Sequence, residues 1–327
     1  MNNIKWGIIG CGDVTEVKSG PAFNKVEDSS LIAVMRRDSA KAKDYSERHK
    51  VLKWYDNAYD LIHDDDVNAI YIATPPSSHF EYAKAAMQYG KPVYLEKPMT
   101  LDSASAALLG EVSKSTGVKL TVAHYRRMQP MFKKIKELLS NRSIGNVRFV
   151  NLQHIEKLLT KEELAISKTA WRVQEEMSGG GLFHDLAPHQ LDLMLYYFGE
   201  VDHSAGISSN QSKQYNAADI VSGNILFKTG VMFNGLWCFN SRDDQQKDIC
   251  EIIGTEGNIT FSVFGEAKIE LNRSKGLEVI QFVKPEHVQQ PMIGEVVQYF
   301  LGKCDNPCSV ENGIKVMQLM EQLTSKK

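Results

Sequence analysis

From residue 5 to residue 123 short, largely apolar runs alternate with amphipathic stretches, and this alternation limits the possible folds more than any single motif does. The apolar runs are 5–9, 31–35, 69–73, 92–95 and 119–123, and helical patterns lie between them at 39–49, 79–89 and 103–116. A strand that is apolar at every position is covered on both faces, which is the habit of parallel sheets. Strand–helix alternation with short connections then calls for a doubly wound parallel sheet with right-handed crossovers.

After His124 the texture changes. A helical pattern at 130–139 leads to a strand at 147–155, a charged stretch at 157–168, and the run Gly179-Gly180-Gly181, which opens a helix reaching about Phe198. Strand patterns follow at 220–227, 231–239, 247–253, 258–263, 267–271 and 277–283, divided by turns such as Lys228-Thr229-Gly230 and Gly254-Thr255-Glu256-Gly257. Successive strands joined by tight turns form an antiparallel sheet. Two helical patterns, 294–301 and 310–323, close the chain. The expected class is therefore α/β: a parallel-sheet domain over 1–123 and an α+β domain with a large, mostly antiparallel open sheet over 124–327. A length of 327 residues, too great for one ordinary core, agrees with two domains.

The net charge of −2 argues against nucleic acid or an anionic membrane as a partner. No apolar run approaches the roughly 18 residues that a membrane span needs. The N-terminus passes straight into the first strand without the pattern of a secretion signal. Five cysteines show no paired framework, so a reducing cytoplasm is the expected location; Cys304 and Cys308 lack a matching pair, and no metal site is expected.

The first strand runs into Gly7-Ile8-Ile9-Gly10-Cys11-Gly12-Asp13-Val14-Thr15. Gly10 allows a tight turn, and Gly12 lets the backbone approach a pyrophosphate at the start of the next helix, with Asp13 and Val14 following. Thr15 stands where a third glycine is usual. The second strand ends Val34-Met35-Arg36-Arg37-Asp38. Met35 occupies the place of the acid that bonds the adenosine ribose in NAD sites, whereas Arg36 and Arg37 suit a 2′-phosphate, which favours NADP over NAD. Asp38 reads as a helix cap or as a displaced ribose acid. The strand at 69–73 exits through Thr74, Pro75, Pro76, Ser77, Ser78 and His79, at the sheet edge where ligands bind.

Two further groups carry chemistry. The strand ending at Leu95 exits into Glu96-Lys97-Pro98, and a lysine at that edge can orient a hydroxyl or carbonyl and share its proton, or can simply pair with Glu96. In the helix after the glycine run Asp185 and His189 are four residues apart and share a face, with Asp192 nearly one turn on. A carboxylate beside an imidazole raises its affinity for a proton, as a general acid/base needs; a capping acid and a core histidine would give the same spacing.

Taken together these residues resemble the Gfo/Idh/MocA oxidoreductases across essentially the whole chain. The carriers are Gly7 to Gly12, Ala73-Thr74-Pro75-Pro76 with His79, Glu96-Lys97-Pro98, the glycine run with Asp185, His189 and Asp192, and Ile253 to Gly257. The resemblance implies a Rossmann domain and a second domain whose open sheet is buried in a homodimer or homotetramer. It implies that Lys97 lies beside the nicotinamide and that Glu96 shapes that turn; Thr74, Pro75 and His79 are expected to line the coenzyme from their place at the strand exit, where a plain turn and helix cap would give the same residues. It makes His189 the acid/base and Asp185 its partner, with Tyr125, Arg126, Arg127, Trp171 and Arg172 bordering a sugar or polyol substrate. The expected reaction is hydride transfer between that substrate and NADP or NAD. Two alternatives remain open within this reading: an NAD-dependent glycoside hydrolase and a non-catalytic dinucleotide-binding regulator.

Overall fold

The protein, a computed structural model, is described over residues 2–324. It forms two compact units, one reaching to Arg126 and resuming from Pro285 to Met317, the other running from Arg127 to Lys284 and resuming at Gln318. The single boundary read from the sequence, between 123 and 124, leaves out this return of 285–317 to the first unit.

The first unit runs β1 (Ile4–Ile9), α1 (Asp13–Val17), β2 (Ser29–Met35), α2 (Ser39–His49), β3 (Lys53–Tyr55), α3 (Ala58–His63), β4 (Ala69–Ile72), α4 (His79–Gln88), β5 (Val93–Leu95), α5 (Ser103–Thr116) and β6 (Leu120–Val122). The strands are parallel in the order β3-β2-β1-β4-β5-β6. This is the doubly wound dinucleotide-binding order, and the direction of winding reverses between β1 and β4. Every residue of β4 and β5 is fully buried, which accounts for their unbroken apolar sequence. The edge strand β3, Lys-Trp-Tyr, is only partly covered, so it carries no apolar run and escapes a sequence reading. Asp38 and Asp102 cap α2 and α5 by accepting the amides of Lys41 and Ser105.

The second unit contains α6 (Pro130–Ser140), β7 (Val147–Lys157), three short helical segments α7 (Lys161–Ala165), α8 (Ser167–Ala170) and α9 (Glu175–Ser178), then α10 (Gly181–Phe198). It continues with β8 (Val201–Ser209), β9 (Ile220–Phe227), β10 (Met232–Ser241), β11 (Lys247–Gly254), β12 (Gly257–Phe261), β13 (Lys268–Arg273) and β14 (Gly276–Gln281). Two helices follow: α11 (Gln290–Phe300), in the first unit, and α12 (Val310–Thr324), which begins in the first unit and ends in the second. The eight strands lie in the order β14-β13-β12-β11-β7-β10-β9-β8, antiparallel throughout except for the β7–β10 pair. Alternate residues of β9 and β10, among them Val221, Ile225, Phe233, Trp237 and Phe239, are buried on the face that carries α10. The opposite face shows a row of paired positions Asn224, Asn234, Asn151 and Glu251 across four strands. Exposed Ile249, Met232 and Ile207 lie on the same sheet. The edge strand β8, absent from the sequence reading, mixes Asp202, His203 and three serines with its few apolar residues and is half exposed, so it lacks an apolar signature.

Candidate active site

The glycine loop sits where the sheet order reverses. Gly10 has φ +96°, and a Cβ there would lie 2.8 Å from the backbone N of Thr74 and 2.9 Å from the carbonyl carbon of Ala73. Glycine is thus required twice, by conformation and by the end of β4 pressed against it. The amides of Gly10 and Cys11 donate to the Met35 carbonyl, at 2.9 and 3.1 Å, which ties the loop to the end of β2. At Gly12, by contrast, a Cβ would meet only the Gly10 carbonyl oxygen, at 4.0 Å. That open backbone is what a pyrophosphate needs in order to approach, so the loop fits a dinucleotide. Thr15 is wholly buried and donates to the Gly12 carbonyl at 2.8 Å, so a threonine serves at the position where a third glycine is usual.

Beyond β2, Met35 is buried while Arg36 is half-buried and donates to the Cys11 carbonyl, at 3.3 Å. Arg37 is exposed. Asp38 accepts the Lys41 amide and pairs with its ammonium at 3.2 Å, which is the capping role expected of it. Asp13 is exposed and Val14 half-buried at the start of α1.

The turn after β4 is braced by His79. Its ring is fully buried, with Nδ1 2.9 Å from the Pro98 carbonyl oxygen and Nε2 2.8 Å from that of Thr74. The imidazole therefore joins the Thr74–Pro75 turn to the Glu96-Lys97-Pro98 turn, and its ring edges are occupied by protein. Burial lowers its pKa to about 4, against the upward pull of the two carbonyls. Glu96 is buried, with Oε1 accepting from the Tyr71 hydroxyl at 2.7 Å and Oε2 from the Lys97 amide at 3.1 Å. Lys97 is half-buried. Tyr125 is buried, with the Arg126 guanidinium 5.7 Å from its ring centroid.

In the second unit the glycine run is needed where His184 lies on it: a Cβ at Gly180 would fall 2.1 Å from the His184 ring, and Gly181 has φ +74°. Helix α10 then presents Asp185 and, one turn on, a buried His189. The Asp185 carboxylate accepts from Arg172 Nε at 2.8 Å, and the Arg172 guanidinium stacks 4.6 Å from the Trp171 ring centroid. The expected pocket residues Trp171, Arg172 and Asp185 thus form one contiguous group. Arg127, expected at the substrate, is buried and forks onto Asp192 through Nε, 3.1 Å, and Nη2, 2.5 Å. Asp192 is accordingly a partner for this arginine within α10's packing face.

Sequence reading missed the inner-face group beside His189. Phe264 stands edge-on to the His189 ring, with centroids 5.8 Å apart, and also packs on His154, at 5.1 Å. Asp248, opposite His154 across β11 and β7, accepts the amides of Phe264 and Gly265 at 2.6 and 2.8 Å. Burial acts to lower the His154 pKa, but the carboxylates of Asp248 and Glu156 outweigh it and the net shift is upward. The available signal was periodicity: His154 falls in step with Val150 and Leu152, so a polar residue occupies a core-facing register.

The buried histidines also set a pH dependence. Burial lowers the pKa of His184 to about 4, as it does that of His79, whereas an unfolded histidine titrates near 6.5. Between those values the unfolded chain binds the extra proton, so each histidine contributes stability that is complete above about pH 6.5 and is lost as pH falls toward 4. The loss is on the order of 3 kcal/mol for each group. Urea unfolding followed from pH 7 to 5 is expected to show stability falling, with a shallower fall in His184→Asn; equal slopes would refute this assignment. The raised His154 acts elsewhere, its contribution being lost only as pH rises above the unfolded value.

Comparison with known proteins agrees with this architecture. Residues 4–124 match the model described as "Oxidoreductase family, NAD-binding Rossmann fold", and residues 132–260 match the "GFO/IDH/MocA C-terminal domain". The chain is 50% identical over 320 residues, 98% of each protein, to "Oxidoreductase P35" of Formosa agariphila. It is 28% identical to the scyllo-inositol 2-dehydrogenase (NADP(+)) of Bacillus subtilis over 61% of this chain and 53% of that one. An aldose-aldose oxidoreductase of Caulobacter crescentus, solved with glycerol, shares the fold with TM-score 0.86 at 20% identity, over 98% of this chain and 96% of that one. Among the described residues no helix is long and apolar enough to cross a membrane.

Proposed function

Since the chain belongs to the Gfo/Idh/MocA family of NAD(P)-binding oxidoreductases, we propose that it moves a hydride between nicotinamide and a hydroxyl-bearing carbon of a sugar, sugar derivative or cyclic polyol. The observation that carries this reading is α10, where a buried His189 follows one turn after an Asp185 that holds Arg172. The names of two relatives, the scyllo-inositol dehydrogenase and a 1,5-anhydro-D-fructose reductase of Ensifer adhaerens, support the substrate class.

The bound nicotinamide supplies the hydride acceptor or donor. The chain's own groups handle the proton and the charge. In oxidation His189 takes the hydroxyl proton as the carbon loses its hydride and becomes a carbonyl; in reduction it returns that proton to the forming alkoxide. Asp185 orients the imidazole and carries Arg172, which with Trp171 borders the substrate. Lys97 steadies negative charge on the reacting oxygen, an electrostatic contribution available in both directions. Tyr125 and Arg126 border the substrate, while Gly10, Gly12, Asp13, Val14, Thr74 and Pro75 line the coenzyme, with His79 and Glu96 bracing the turns that carry Thr74 and Lys97. A panel of sugars, cyclic polyols and their keto forms, offered with NADP(H) and NAD(H) and followed at the reduced-nicotinamide absorbance, tests the reading. Net coenzyme turnover is expected, and a panel without it, under conditions where the protein binds coenzyme, would rule the reading out.

Coenzyme choice rests on Arg36 and Arg37, which offer two guanidinium groups where an NAD site has an acid. Arg36→Ala is expected to weaken NADP binding about tenfold or more while NAD binding changes little, because one charge-assisted hydrogen bond is lost only with the 2′-phosphate. Fluorescence titration with both coenzymes measures this, and a parallel loss for the two would remove the assignment.

The open face of the second unit's sheet is the surface proposed for a homodimer or homotetramer. Its row of Asn224, Asn234 and Asn151 lies near exposed Ile249 and Met232, an apolar and amide-bearing pattern able to meet a copy of itself. Light scattering is expected to report a multimer that Ile249→Lys dissociates; a monomeric wild-type protein would contradict this.

A further inference from the structure

The first unit contains a buried polar cluster of which the reading above uses only Glu96. Tyr71 on β4, Tyr94 on β5, Glu96 and Gln289 are each buried, the tyrosine rings stacked with centroids 5.1 Å apart. The Tyr94 hydroxyl donates to Gln289 Oε1 at 3.0 Å, which turns the amide so that Nε2 donates to Glu96 Oε1 at 2.6 Å. The Tyr71 hydroxyl donates to the same oxygen at 2.7 Å and lies 3.3 Å from Gln289 Nε2. Glu96 Oε2 accepts the backbone amide of Lys97, at 3.1 Å.

An apolar core of the same shape would fill this space without desolvating four polar side chains, so packing alone does not account for the residue types. What the cluster adds is direction. The bonds among Tyr94, Gln289, Tyr71 and Glu96 Oε1 are internal to it, and the bond from Glu96 Oε2 passes to the backbone of Lys97. Gln289 is itself pinned: its amide N–H donates to the Lys18 carbonyl at 3.1 Å, and the neighbouring His287 ring contacts the Val17 carbonyl at 2.6 Å. Both carbonyls belong to the end of α1, the helix that follows the glycine loop. One residue, nearly 200 positions beyond Lys97, therefore links the backbone behind the coenzyme loop to the turn that carries the lysine.

We propose that Gln289 is a positioning residue for Lys97, acting through Glu96 together with Tyr71 and Tyr94. The proposal rests on the reading that Lys97 acts on the substrate, and it assigns no contact between Gln289 and substrate or coenzyme.

Gln289→Met keeps the size and removes the amide. Hydrogen–deuterium exchange of the NADPH-bound protein is expected to show the Lys97 amide exchanging about tenfold faster, the scale of one lost hydrogen bond, with the amides of β1 and β2 unchanged. With the fastest panel substrate, kcat is expected to fall about tenfold at nearly constant KM and coenzyme affinity. In a Lys97→Ala background Gln289→Met is expected to add nothing further, since both changes act on one interaction. Tyr94→Phe, which removes only a hydroxyl, repeats the exchange test should Gln289→Met fold poorly, and Gln289→Asn is expected to restore little because the shorter amide does not reach Glu96. An unchanged Lys97 amide, or faster exchange throughout the first unit, overturns the proposal. So does an equal loss of kcat in both Lys97 backgrounds. Normal turnover in Lys97→Ala alone instead overturns the role of Lys97, and that outcome is read without the exchange data.

Discussion

His189→Ala and Lys97→Ala are each expected to cut kcat by about 10²–10⁴-fold, the usual worth of a positioned acid/base or of a group that stabilises developing charge. Dinucleotide affinity is expected to survive in both, because the Gly10–Gly12 loop is held by the Met35 carbonyl and by the end of β4, neither of which the substitutions touch. The two variants differ in their pH behaviour. Loss of His189 removes the group that exchanges the substrate proton, so the pH–rate profile is expected to lose the limb belonging to the acid/base. Loss of Lys97 is expected to lower the whole profile. Stopped-flow absorbance of the reduced nicotinamide, with coenzyme affinity measured separately, distinguishes these outcomes. Near-normal turnover in both variants would remove the proposed chemistry while leaving the family membership untouched.

The second large effect is on stability. Arg127 and Asp192 form a forked ion pair with side chains 6% and 1% exposed. Removing one partner leaves a buried charge without its counter-ion, a change that costs about 3–5 kcal/mol. Arg127→Met is therefore expected to lower the midpoint of the second unit's thermal unfolding by roughly 10 °C. The double variant Arg127→Met with Asp192→Leu is expected to recover most of that loss, since apolar residues of similar volume replace a buried pair with little penalty. Calorimetry on the three proteins measures both effects. A single variant as stable as the wild type would mean that solvent reaches this pair after all.

Both sites were legible in part. Gly10 and Gly12 could be read because a strand that ends in a tight turn leaves glycine few substitutes, and the positive φ of Gly10 and its contact with Thr74 bear out that reason. Helices α2 and α5 begin and end where their capping aspartates and periodicity place them. The short edge strands β3 and β8 were not legible, because a half-covered edge needs no apolar run. His154, Phe264 and Asp248 were missed because their grouping arises from pairing between strands distant in sequence.

By itself, then, the sequence determined the two classes of sheet and the glycine loop, since each of these depends on local periodicity or turn conformation, and it supplied the residues proposed for the chemistry through their spacing. Only the tertiary structure decided the partners: Arg172 for Asp185, Arg127 for Asp192, and Gln289 for Glu96. It also returned residues 285–317 to the first unit. An amphipathic helix such as α11 declares that it has an apolar face, but which sheet covers that face is settled by long-range packing, and no local pattern encodes it.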